Sequence, residues 1–364
     1  MVRALVTGGC GFIGSALVRY LVRDLGIGVV NLDALTYAAT RASVESVVDD
    51  PRYTLVHGDI CDRSVVSGLL QEYRPSWIFH LAAESHVDRS IEDPLLFVRT
   101  NVLGTATVLD AAFDHFSGLR GAERDAFRLL HVSTDEVFGS LGESGAFDEH
   151  TAYDPSSPYS ASKAGADHLA RAWHRTFGLP VIVTNCSNNY GPYQFPEKLI
   201  PLMTLRAWHG EDLPVYGAGT NVRDWLFVED HARALALVAK AGRPGDTYCI
   251  SGNSERRNID VVHAICDLLD RKLGLPPSGP RRALVRFVSD RPGHDLRYAI
   301  DASHIARELG WRPAVAFEEG LQQTVEWYLD RRDWWLPLTE DRQALKRLGL
   351  KLSNSIQSAG ASVA

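Results

Sequence analysis

The first half of the chain alternates short apolar runs with segments of helical length, and this alternation constrains the fold more than any other feature. The apolar runs are continuous and bounded by turn-forming residues, and they read VRALVT, GVVNLD, RYTLVHGD, SWIFHLA, FRLLHVST and PVIVTNCS. Segments such as 12–24, 94–116 and 160–177 separate them. Continuous apolar runs are typical of parallel strands buried on both faces. The sequence therefore predicts an α/β fold with a doubly wound parallel sheet and right-handed crossovers.

After residue 188 the alternation gives way to stretches rich in proline and glycine, such as GPYQFPEKLIP and LPVYGAGTNVRDWLFV. We therefore expect a first lobe built from 1–189 and 224–252 and a smaller α+β lobe built from 190–223 and 253–335. The final stretch, SNSIQSAGASVA, is small and polar. This composition predicts that 350–364 form a loose tail.

The composition narrows the classes of function. With 364 residues, of which 45% are hydrophobic and 23% charged, the chain can bury a sizeable core. A formal net charge of -7 disfavours nucleic acid or an anionic membrane as the main partner. Any anionic ligand must therefore be met by specific residues.

The cysteines and the N-terminus indicate the compartment. The five cysteines, at positions 10, 61, 186, 249 and 266, form no CxxC pair and no metal-ligand spacing. We interpret them as reduced, mostly buried residues, with a structural disulfide as the less favoured alternative, and we expect no metal site. VRALVTGG does not resemble a signal peptide, and no apolar stretch approaches the roughly 18 residues of a membrane span. These features predict a cytoplasmic protein.

The first chemical motif is VTGGCGFIGS, which places Gly8, Gly11 and Gly14 between the first predicted strand and helix. Glycines allow a tight turn and let a pyrophosphate approach the helix N-terminus, where free N–H groups favour anions. Asp33 follows Gly14 by 19 residues at the end of the second strand, where a carboxylate can bond an adenosine ribose. The motif predicts a dinucleotide site of the Rossmann type, and the alternative is a purely structural glycine turn.

The carboxylate of Asp33 favours NAD over NADP, because it repels a 2′-phosphate. Asp59 in HGDI is a candidate for contacting the adenine, although a solvated turn aspartate is nearly as good an interpretation. FHLAA ends the fourth strand, where the dinucleotide is expected to lie. The remaining candidate cofactor residues come from this strand end, from the glycine loop and from nearby turns: Phe12, Ile13, Ile60, Ala82, Ala83 and Asn101.

The second motif is YSASK, which contains Tyr159 and Lys163. Residues four apart share one face of a helix, so the ammonium is expected beside the phenol. A tyrosine pKa near 10 must fall before a phenolate can take a proton at neutral pH, and we expect both Lys163 and a nicotinamide cation to lower it. The alternative is an accidental pair on a surface helix.

The glycine loop, the strand-end Thr134 and the YxxxK motif together resemble the extended short-chain dehydrogenase/reductase superfamily. Longer phrases make the resemblance more specific: STDEVFG, AAESHVDRSI, NCSNNYGPYQFPEKLIP, VRDWLFVEDHARA and DRPGHDLRYAID are similar to the family of dTDP-glucose 4,6-dehydratases. The resemblance covers residues 2 to about 328. One departure is Phe138, where that family usually has tyrosine.

The resemblance implies a lyase reaction of deoxysugar biosynthesis. C4 of dTDP-glucose is oxidised with a bound, recycled NAD, water is eliminated across C5 and C6, and the hydride returns to C6. Elimination needs a base at C5 and an acid at the 6-hydroxyl, and neighbouring carboxyls can hold opposite protonation states. By resemblance, Asp135 is the acid, Glu136 is the base, Thr134 hydrogen-bonds the 4-hydroxyl, and Tyr159 removes its proton. In isolation, such a carboxylate pair is more simply interpreted as capping a loop.

The resemblance also implies a set of substrate contacts. Arg223 and Arg291 are candidates for the diphosphate, because a guanidinium pairs with phosphate through two hydrogen bonds. Tyr216 is a candidate for stacking on the base. The other positions that match the family's substrate contacts are Ser85, Asn188, Glu197, Lys198, Asn258 and Tyr298.

The sequence also leads to an expected oligomeric state and leaves several rival functions open. The resemblance implies a homodimer in which helices near 94–116 and 160–177 form a four-helix bundle. The rival functions are a nucleotide-sugar epimerase or decarboxylase, a UDP-glucose 4,6-dehydratase, and a non-catalytic NAD-sensing module. dTDP and UDP differ by one methyl group on the base, which is worth only about 1–3 kcal/mol in an apolar pocket. The sequence does not choose between these two nucleotides.

Overall fold

The computed structural model describes residues 2–290 and 293–339. The strands, numbered in chain order, are β1 Arg3–Thr7, β2 Gly28–Asp33, β3 Tyr53–His57, β4 Trp77–His80, β5 Arg128–Thr134, β6 Val181–Cys186, β7 Asn188–Tyr190, β8 Leu213–Tyr216, β9 Val222–Phe227, β10 Thr247–Ile250, β11 Glu255–Arg257 and β12 Val285–Val288. The helices are α1 Phe12–Arg19, α2 Arg63–Tyr73, α3 Val87–Glu92, α4 Pro94–Phe97, α5 Thr105–Gly118, α6 Gly121–Ala126, α7 Pro158–Phe177, α8 Leu199–His209, α9 Val228–Ala241, α10 Asn258–Leu273, α11 Ser303–Leu309, α12 Phe317–Asp330 and α13 Arg332–Thr339.

Seven strands form one parallel sheet in the order β10-β6-β5-β4-β1-β2-β3. The strand order reverses between β1 and β4, and in open α/β sheets ligands bind at the carboxyl ends of the strands beside such a switch point. The predicted α/β fold with a doubly wound sheet of the Rossmann type is confirmed. Each of the six apolar runs quoted from the first half of the chain contains one strand of this sheet.

Alternate residues of the sheet strands pack into two different apolar layers. On β1, Ala4 and Val6 join a cluster that includes residues of α1 and α9. Leu5 between them joins a second cluster, which includes residues of α2 and α5. Because side chains of a strand alternate between its faces, helices on both sides of the sheet require the continuous apolar runs that the sequence shows.

A smaller lobe carries two short sheets, a three-stranded one in the order β11-β9-β7 and the parallel pair β12-β8. Its core lies among α8, α10 and α12 and contains Trp225, Phe227 and Phe317. The chain enters this lobe at β7, whereas α9 packs on the large sheet and β10 forms its edge strand beside β6. The exact division into 1–189 with 224–252 and 190–223 with 253–335 stays a prediction. The predicted tail, 350–364, lies outside the described residues.

One long helix differs from the expectation that no apolar stretch approaches the length of a membrane span. Within the described residues, the continuous helix Pro94–Gly118, which joins α4 and α5, is long and apolar enough by length and composition alone. It packs against α2 and α7, and 44% of its most apolar window is buried inside the protein. The buried face of this helix therefore belongs to the core of an α/β fold.

Candidate active site

The loop between β1 and α1 packs so closely that two of its glycines have no room for a side chain. Gly8 has φ 74°, and a Cβ atom there would lie 2.8 Å from the backbone of Ala82. A Cβ atom on Gly14 would lie 2.1 Å from the carbonyl oxygen of Gly8. Gly11 caps the N-terminus of α1, which begins at Phe12. The loop therefore carries no side chains at these positions and leads directly into the unpaired N–H groups at the N-terminus of α1. This arrangement suits the binding of a pyrophosphate.

Asp33 ends β2 beside this loop. Its carboxylate accepts hydrogen bonds from the backbone N–H groups of Cys10, at 2.8 Å, and Leu35, at 2.7 Å. Burial raises the pKa of Asp33, and the two hydrogen bonds oppose the rise. Cys10 itself is buried, and this burial raises its thiol pKa to about 12, so Cys10 is no nucleophile at neutral pH. The loop and Asp33 fit the two ends of an adenosine diphosphate unit.

The other candidate cofactor residues lie along the same edge of the sheet. Asn101 is buried and hydrogen-bonds both backbone groups of Glu84, with distances of 2.9 Å and 3.0 Å, which fixes the chain directly after Ala82 and Ala83. Ile60 is buried beneath Gly104. Phe12 and Ile13 are partly buried against the core.

Asp59 is the least constrained of this group. Its side chain is 49% exposed, and it accepts a hydrogen bond from the N–H of Cys61 at 2.8 Å. This geometry leaves both the adenine contact and the solvated turn as interpretations.

Tyr159 and Lys163 lie in the first turns of α7. A capping box between Ser157 and Ser160 and a proline at the first helical position fix where this helix begins. Both side chains are buried, with 8% of Tyr159 and 5% of Lys163 exposed. Lys163 Nζ donates a hydrogen bond to the carbonyl oxygen of Val132 at 2.8 Å. The structure thus holds the predicted pair against the end of β5.

The protonation of Tyr159 differs from the expectation. Burial, followed by the negative charge of Glu136, raises the pKa of this phenol well above its ordinary value, and a hydrogen bond with Thr134 acts in the opposite direction. Desolvation of the phenolate is the largest influence on this pKa, and the lowering by a nicotinamide cation, which is the other part of the expectation, stays a prediction.

Thr134, Asp135 and Glu136 stand at the carboxyl end of β5, where the strand passes into a single 3₁₀ turn. Thr134 Oγ1 donates to Asp135 Oδ1 at 3.2 Å and accepts from the N–H of Glu136 at 3.3 Å. Thr134 and Asp135 are buried, and Glu136 is partly exposed. The turn places two neighbouring carboxyls in different environments.

Asp135 is the more perturbed of the two carboxyls. Burial, then the charges of Glu136 and Asp224, raise its pKa well above the ordinary value, against the opposing charge of Arg223. Its Oδ2 atom is buried and has no hydrogen-bond partner among the described residues. A protonated carboxyl with an unused oxygen is suited to donate a proton to a ligand.

Three of the predicted substrate residues lie in one cluster between the lobes. Glu197 is largely buried, accepts a hydrogen bond from Tyr37 at 3.0 Å and pairs with Arg89 at 3.4 Å. Lys198 Nζ donates to the carbonyl oxygen of Ser85 at 3.1 Å. These contacts join the segment after β4 to the segment before α8.

Two predicted residues of the smaller lobe form a second cluster. The guanidinium of Arg223 lies over the ring of Tyr298 at 4.2 Å and donates to the carbonyl oxygen of Asp295 at 3.0 Å. Tyr298 hydrogen-bonds the carboxylate of Asp295. Glu136 contributes to raising the pKa of Tyr298, second to burial, so this cluster lies near the carboxyl pair.

The remaining predicted substrate residues are less closely connected. Tyr216 is 8% exposed, and its hydroxyl donates to Asp88 at 3.3 Å. Asn188 and Asn258 each have a buried Oδ1 atom without a hydrogen-bond partner among the described residues. Arg291 lies outside the described residues.

Two residues of this site were missed by the sequence reasoning. Asp224 follows Arg223 directly and raises the pKa of Asp135, and no pattern pointed to it because its effect depends on tertiary packing. Asp167 follows Lys163 by four residues, is fully buried, and raises the pKa of Lys163 through its charge. The same helical spacing that led to the Tyr159–Lys163 pair could have found Asp167.

Within residues 2–290 and 293–339, no group of three His, Cys, Asp or Glu side chains could hold a metal ion. The groups at the site that can exchange protons with a ligand are Tyr159, Asp135 and Glu136. A glycine loop at the switch point of a Rossmann-type sheet, with a buried Tyr–Lys pair beside a strand-end threonine, defines an enzyme of the extended short-chain dehydrogenase/reductase class.

Comparisons with known proteins identify the family. Residues 5–324 match the family described as GDP-mannose 4,6 dehydratase. The chain is 55% identical to a probable dTDP-glucose 4,6-dehydratase of Sinorhizobium fredii over 96% of this chain and 99% of that protein. It is 54% identical to the dTDP-glucose 4,6-dehydratase of Neisseria meningitidis over the same shares. The chain therefore belongs to the family that residues 5–324 match, and within it to the dTDP-glucose 4,6-dehydratases.

Solved structures agree with this assignment. The dTDP-glucose 4,6-dehydratase of Streptomyces venezuelae, solved with NAD bound, has a TM-score of 0.84 at 48% identity and matches 93% of this chain and 100% of its own. The UDP-glucose 4-epimerase of Thermus thermophilus, also solved with NAD, has a TM-score of 0.79 at 28% identity and matches 91% of this chain and 100% of its own. The predicted resemblance to the dTDP-glucose 4,6-dehydratases is confirmed.

Proposed function

We infer that this chain catalyses the reaction of the dTDP-glucose 4,6-dehydratases, which converts dTDP-glucose to dTDP-4-keto-6-deoxy-glucose. The observation that carries this inference is the carboxyl pair at the end of β5. Asp135 is buried with a raised pKa, and the partly exposed Glu136 lies beside it and beside Thr134. An acid and a base next to the residues that oxidise C4 are what elimination of water requires.

Each proton transfer of the reaction is assigned to a different side chain. Tyr159 removes the proton of the 4-hydroxyl while Thr134 holds that hydroxyl by a hydrogen bond. Once C4 is a ketone, the C5 proton is acidic, and Glu136 removes it as Asp135 protonates the departing 6-hydroxyl. Asp135 can do so at neutral pH because its burial keeps the carboxyl protonated.

NAD, when bound, supplies the hydride acceptor at C4 and returns the same hydride to C6. The glycine loop supports its pyrophosphate, and Asp33 supports NAD over NADP by repelling a 2′-phosphate. Because the hydride returns to the same sugar, NAD is recycled and can stay bound between turnovers.

The Streptomyces venezuelae relative was solved with a second ligand bound in addition to NAD. For this chain we assign the diphosphate to Arg223 and Arg291, because a guanidinium pairs with phosphate through two parallel hydrogen bonds. The cluster of Glu197, Lys198 and Ser85 supports a role in closing the site between the lobes.

We also propose a cytoplasmic homodimer. Cytoplasmic location is supported by the cysteines, all five of which are free thiols in the structure. The dimer is supported by apolar side chains on the outer face of the helix Pro94–Gly118, where Leu95 is 76% and Leu103 is 55% exposed. A helix of the same kind from a second copy would cover them.

The direct test incubates the purified protein, without added NAD, with dTDP-glucose and in parallel with UDP-glucose. We expect loss of one water from dTDP-glucose by mass spectrometry, together with the alkaline absorbance of a 4-keto-6-deoxy sugar. The ratio of the two rates measures the nucleotide preference. An epimer without loss of water, even with NAD supplied, would show that the epimerase alternative is correct.

A further inference from the structure

Asp167 lies on the same face of α7 as the active-site pair, four residues beyond Lys163 and eight beyond Tyr159. Its side chain is completely buried, with an exposure of 0%. An ionised carboxylate is costly to bury unless it is compensated by charge and hydrogen bonds. The carboxylate of Asp167 therefore requires both hydrogen-bond donors and a nearby positive charge.

Three hydrogen-bond donors converge on this carboxylate. His131 Nε2 lies 2.9 Å from Oδ1, the Tyr153 hydroxyl donates to Oδ2 at 2.8 Å, and Asn185 Nδ2 donates to Oδ2 at 3.3 Å. Burial raises the pKa of Asp167, but the hydrogen bond from His131, the charge of Lys163 and the hydrogen bond from Tyr153 outweigh it, so the pKa falls below its ordinary value. The carboxylate is therefore ionised and acts only as an acceptor.

His131 does not carry the compensating positive charge. Its imidazole is fully buried on β5, and this burial lowers its pKa. A neutral imidazole protonated on Nε2 donates the observed hydrogen bond to Asp167. Arg171, one turn further along α7, reaches Tyr153 at 2.7 Å and acts on the carboxylate through that phenol.

Lys163 is the remaining cation. Burial lowers its pKa, and the charge of Asp167 is the largest influence that opposes this. The other titratable groups that face Lys163 are His80 on β4, His131 on β5 and Cys186 on β6. Burial keeps all three neutral, since it lowers the imidazole pKa values and raises that of Cys186 to about 12.

We propose that Asp167 is a positioning residue, the buried counter-ion that keeps Lys163 protonated and held beside Tyr159. This rests on the proposed function, because Lys163 assists the oxidation at C4. The hydrogen bond from Lys163 to Val132 fixes the ammonium at the end of β5, and the charge of Asp167 acts on it through space. The donors His131, Tyr153 and Asn185 hold the carboxylate in place.

The test compares Asp167→Asn with the wild type in single turnovers of dTDP-glucose, following the absorbance of the reduced cofactor against pH. Loss of the anion lowers the pKa of Lys163, so the alkaline limb of the oxidation rate moves to lower pH. We expect the midpoint of that limb to move down by about one pH unit or more, which is a tenfold or larger change in the acid dissociation constant of Lys163.

Two further variants separate charge from packing. Asp167→Glu disturbs the packing but keeps the anion, and we expect it to retain the wild-type pH profile. Asp230→Asn is the matched control, because Asp230 is also fully buried and accepts hydrogen bonds from the N–H groups of Ala314 and Val315. It should lower the melting temperature and leave the pH profile unchanged.

The outcomes decide between the proposals. A wild-type protein that does not oxidise dTDP-glucose contradicts the proposed function itself. An active wild type together with an unshifted profile for Asp167→Asn contradicts the counter-ion role. If Asp167→Asn does not fold, Lys163→Met combined with Asp167→Asn gives the answer: recovery of folding supports a charge pair, and continued failure overturns it.

Discussion

At the scale of single residues, the site depends on two adjacent carboxyls that differ only in environment. Asp135 is buried and Glu136 is partly exposed, although both belong to the same 3₁₀ turn. Like charges this close raise one pKa, and desolvation selects Asp135 as the carboxyl that stays protonated.

Replacing Asp135 with asparagine removes the acid but preserves the shape of the side chain. We expect product formation to fall about 10²–10⁴-fold, because general acid catalysis contributes this much, while oxidation at C4 continues. Reduced cofactor should therefore accumulate when dTDP-glucose is added, and its absorbance measures this.

The matched control for this change is Glu143→Gln, which alters an exposed carboxylate in the loop after the same strand. It should leave the rate of product formation unchanged. A variant Asp135→Asn that forms product at the wild-type rate would contradict the assigned acid.

The raised pKa of Asp135 also predicts a dependence of stability on pH. Because the folded pKa lies above the unfolded value, the contribution of Asp135 to stability is present below the unfolded pKa and is lost as pH rises through the folded pKa. Asp135→Asn cannot ionise, so we expect its stability to decline less than that of the wild type toward alkaline pH. Melting temperatures of both proteins measured across pH test this, and parallel curves would refute it.

At the scale of elements, the β1–α1 unit separates two uses of glycine. Gly14 is required by the fold, since a Cβ atom there would lie 2.1 Å from the backbone of Gly8. Gly11 has more room, because a Cβ atom there would lie 3.3 Å from its nearest neighbour, the carbonyl oxygen of Gly8. The space beside Gly11 is therefore the part of the loop that a pyrophosphate would use.

Alanine substitutions distinguish these uses. Gly14→Ala should unfold the protein at lower urea concentration, because two backbone segments must move apart. Gly11→Ala should fold with only a small loss of stability and should purify with less bound NAD, which the ratio of absorbances at the nucleotide and protein bands measures.

Gly68→Ala provides the control for the chemistry of the substitution. Gly68 is exposed within α2, and a Cβ atom there would have no neighbour within 4 Å. Since alanine favours helices over glycine, we expect this variant to gain about 0.5–1 kcal/mol of stability and to keep its NAD. Equal NAD content in Gly11→Ala and Gly68→Ala would argue against the role assigned to Gly11.

At the scale of the whole molecule, the helix Pro94–Gly118 faces the core on one side and exposes leucines on the other. Leu96 and Leu103 are seven residues apart and so lie on a similar face of this helix, with exposures of 42% and 55%. We expect Leu96→Asp combined with Leu103→Asp to convert a dimer into monomers in sedimentation at micromolar concentration.

The control is Leu275→Asp, since Leu275 is 66% exposed and lies outside this helix. It should sediment as the wild type does. A wild-type protein that already sediments as a monomer would refute the proposed dimer.

The sequence by itself determined the arrangement of elements, because that arrangement rests on local patterns. Continuous apolar runs specify strands covered on both faces, the glycine spacing specifies the β1–α1 turn, and the four-residue step from Tyr159 to Lys163 specifies a shared helix face. The chemistry was readable only through the resemblance, because Asp135 and Glu136 directly after Thr134 would by themselves indicate a loop cap. Their roles as acid and base stay a prediction.

Only the tertiary structure decided how these groups are charged. The pKa of Asp135 depends on Asp224, which is 89 positions away in the chain, and that of Lys163 depends on burial and on Asp167. Desolvation and charge interactions act through space, between groups that the fold brings together from separate elements. The expected lowering of the Tyr159 pKa by Lys163 was based on helix spacing alone. In the folded protein, burial and the charge of Glu136 raise this pKa.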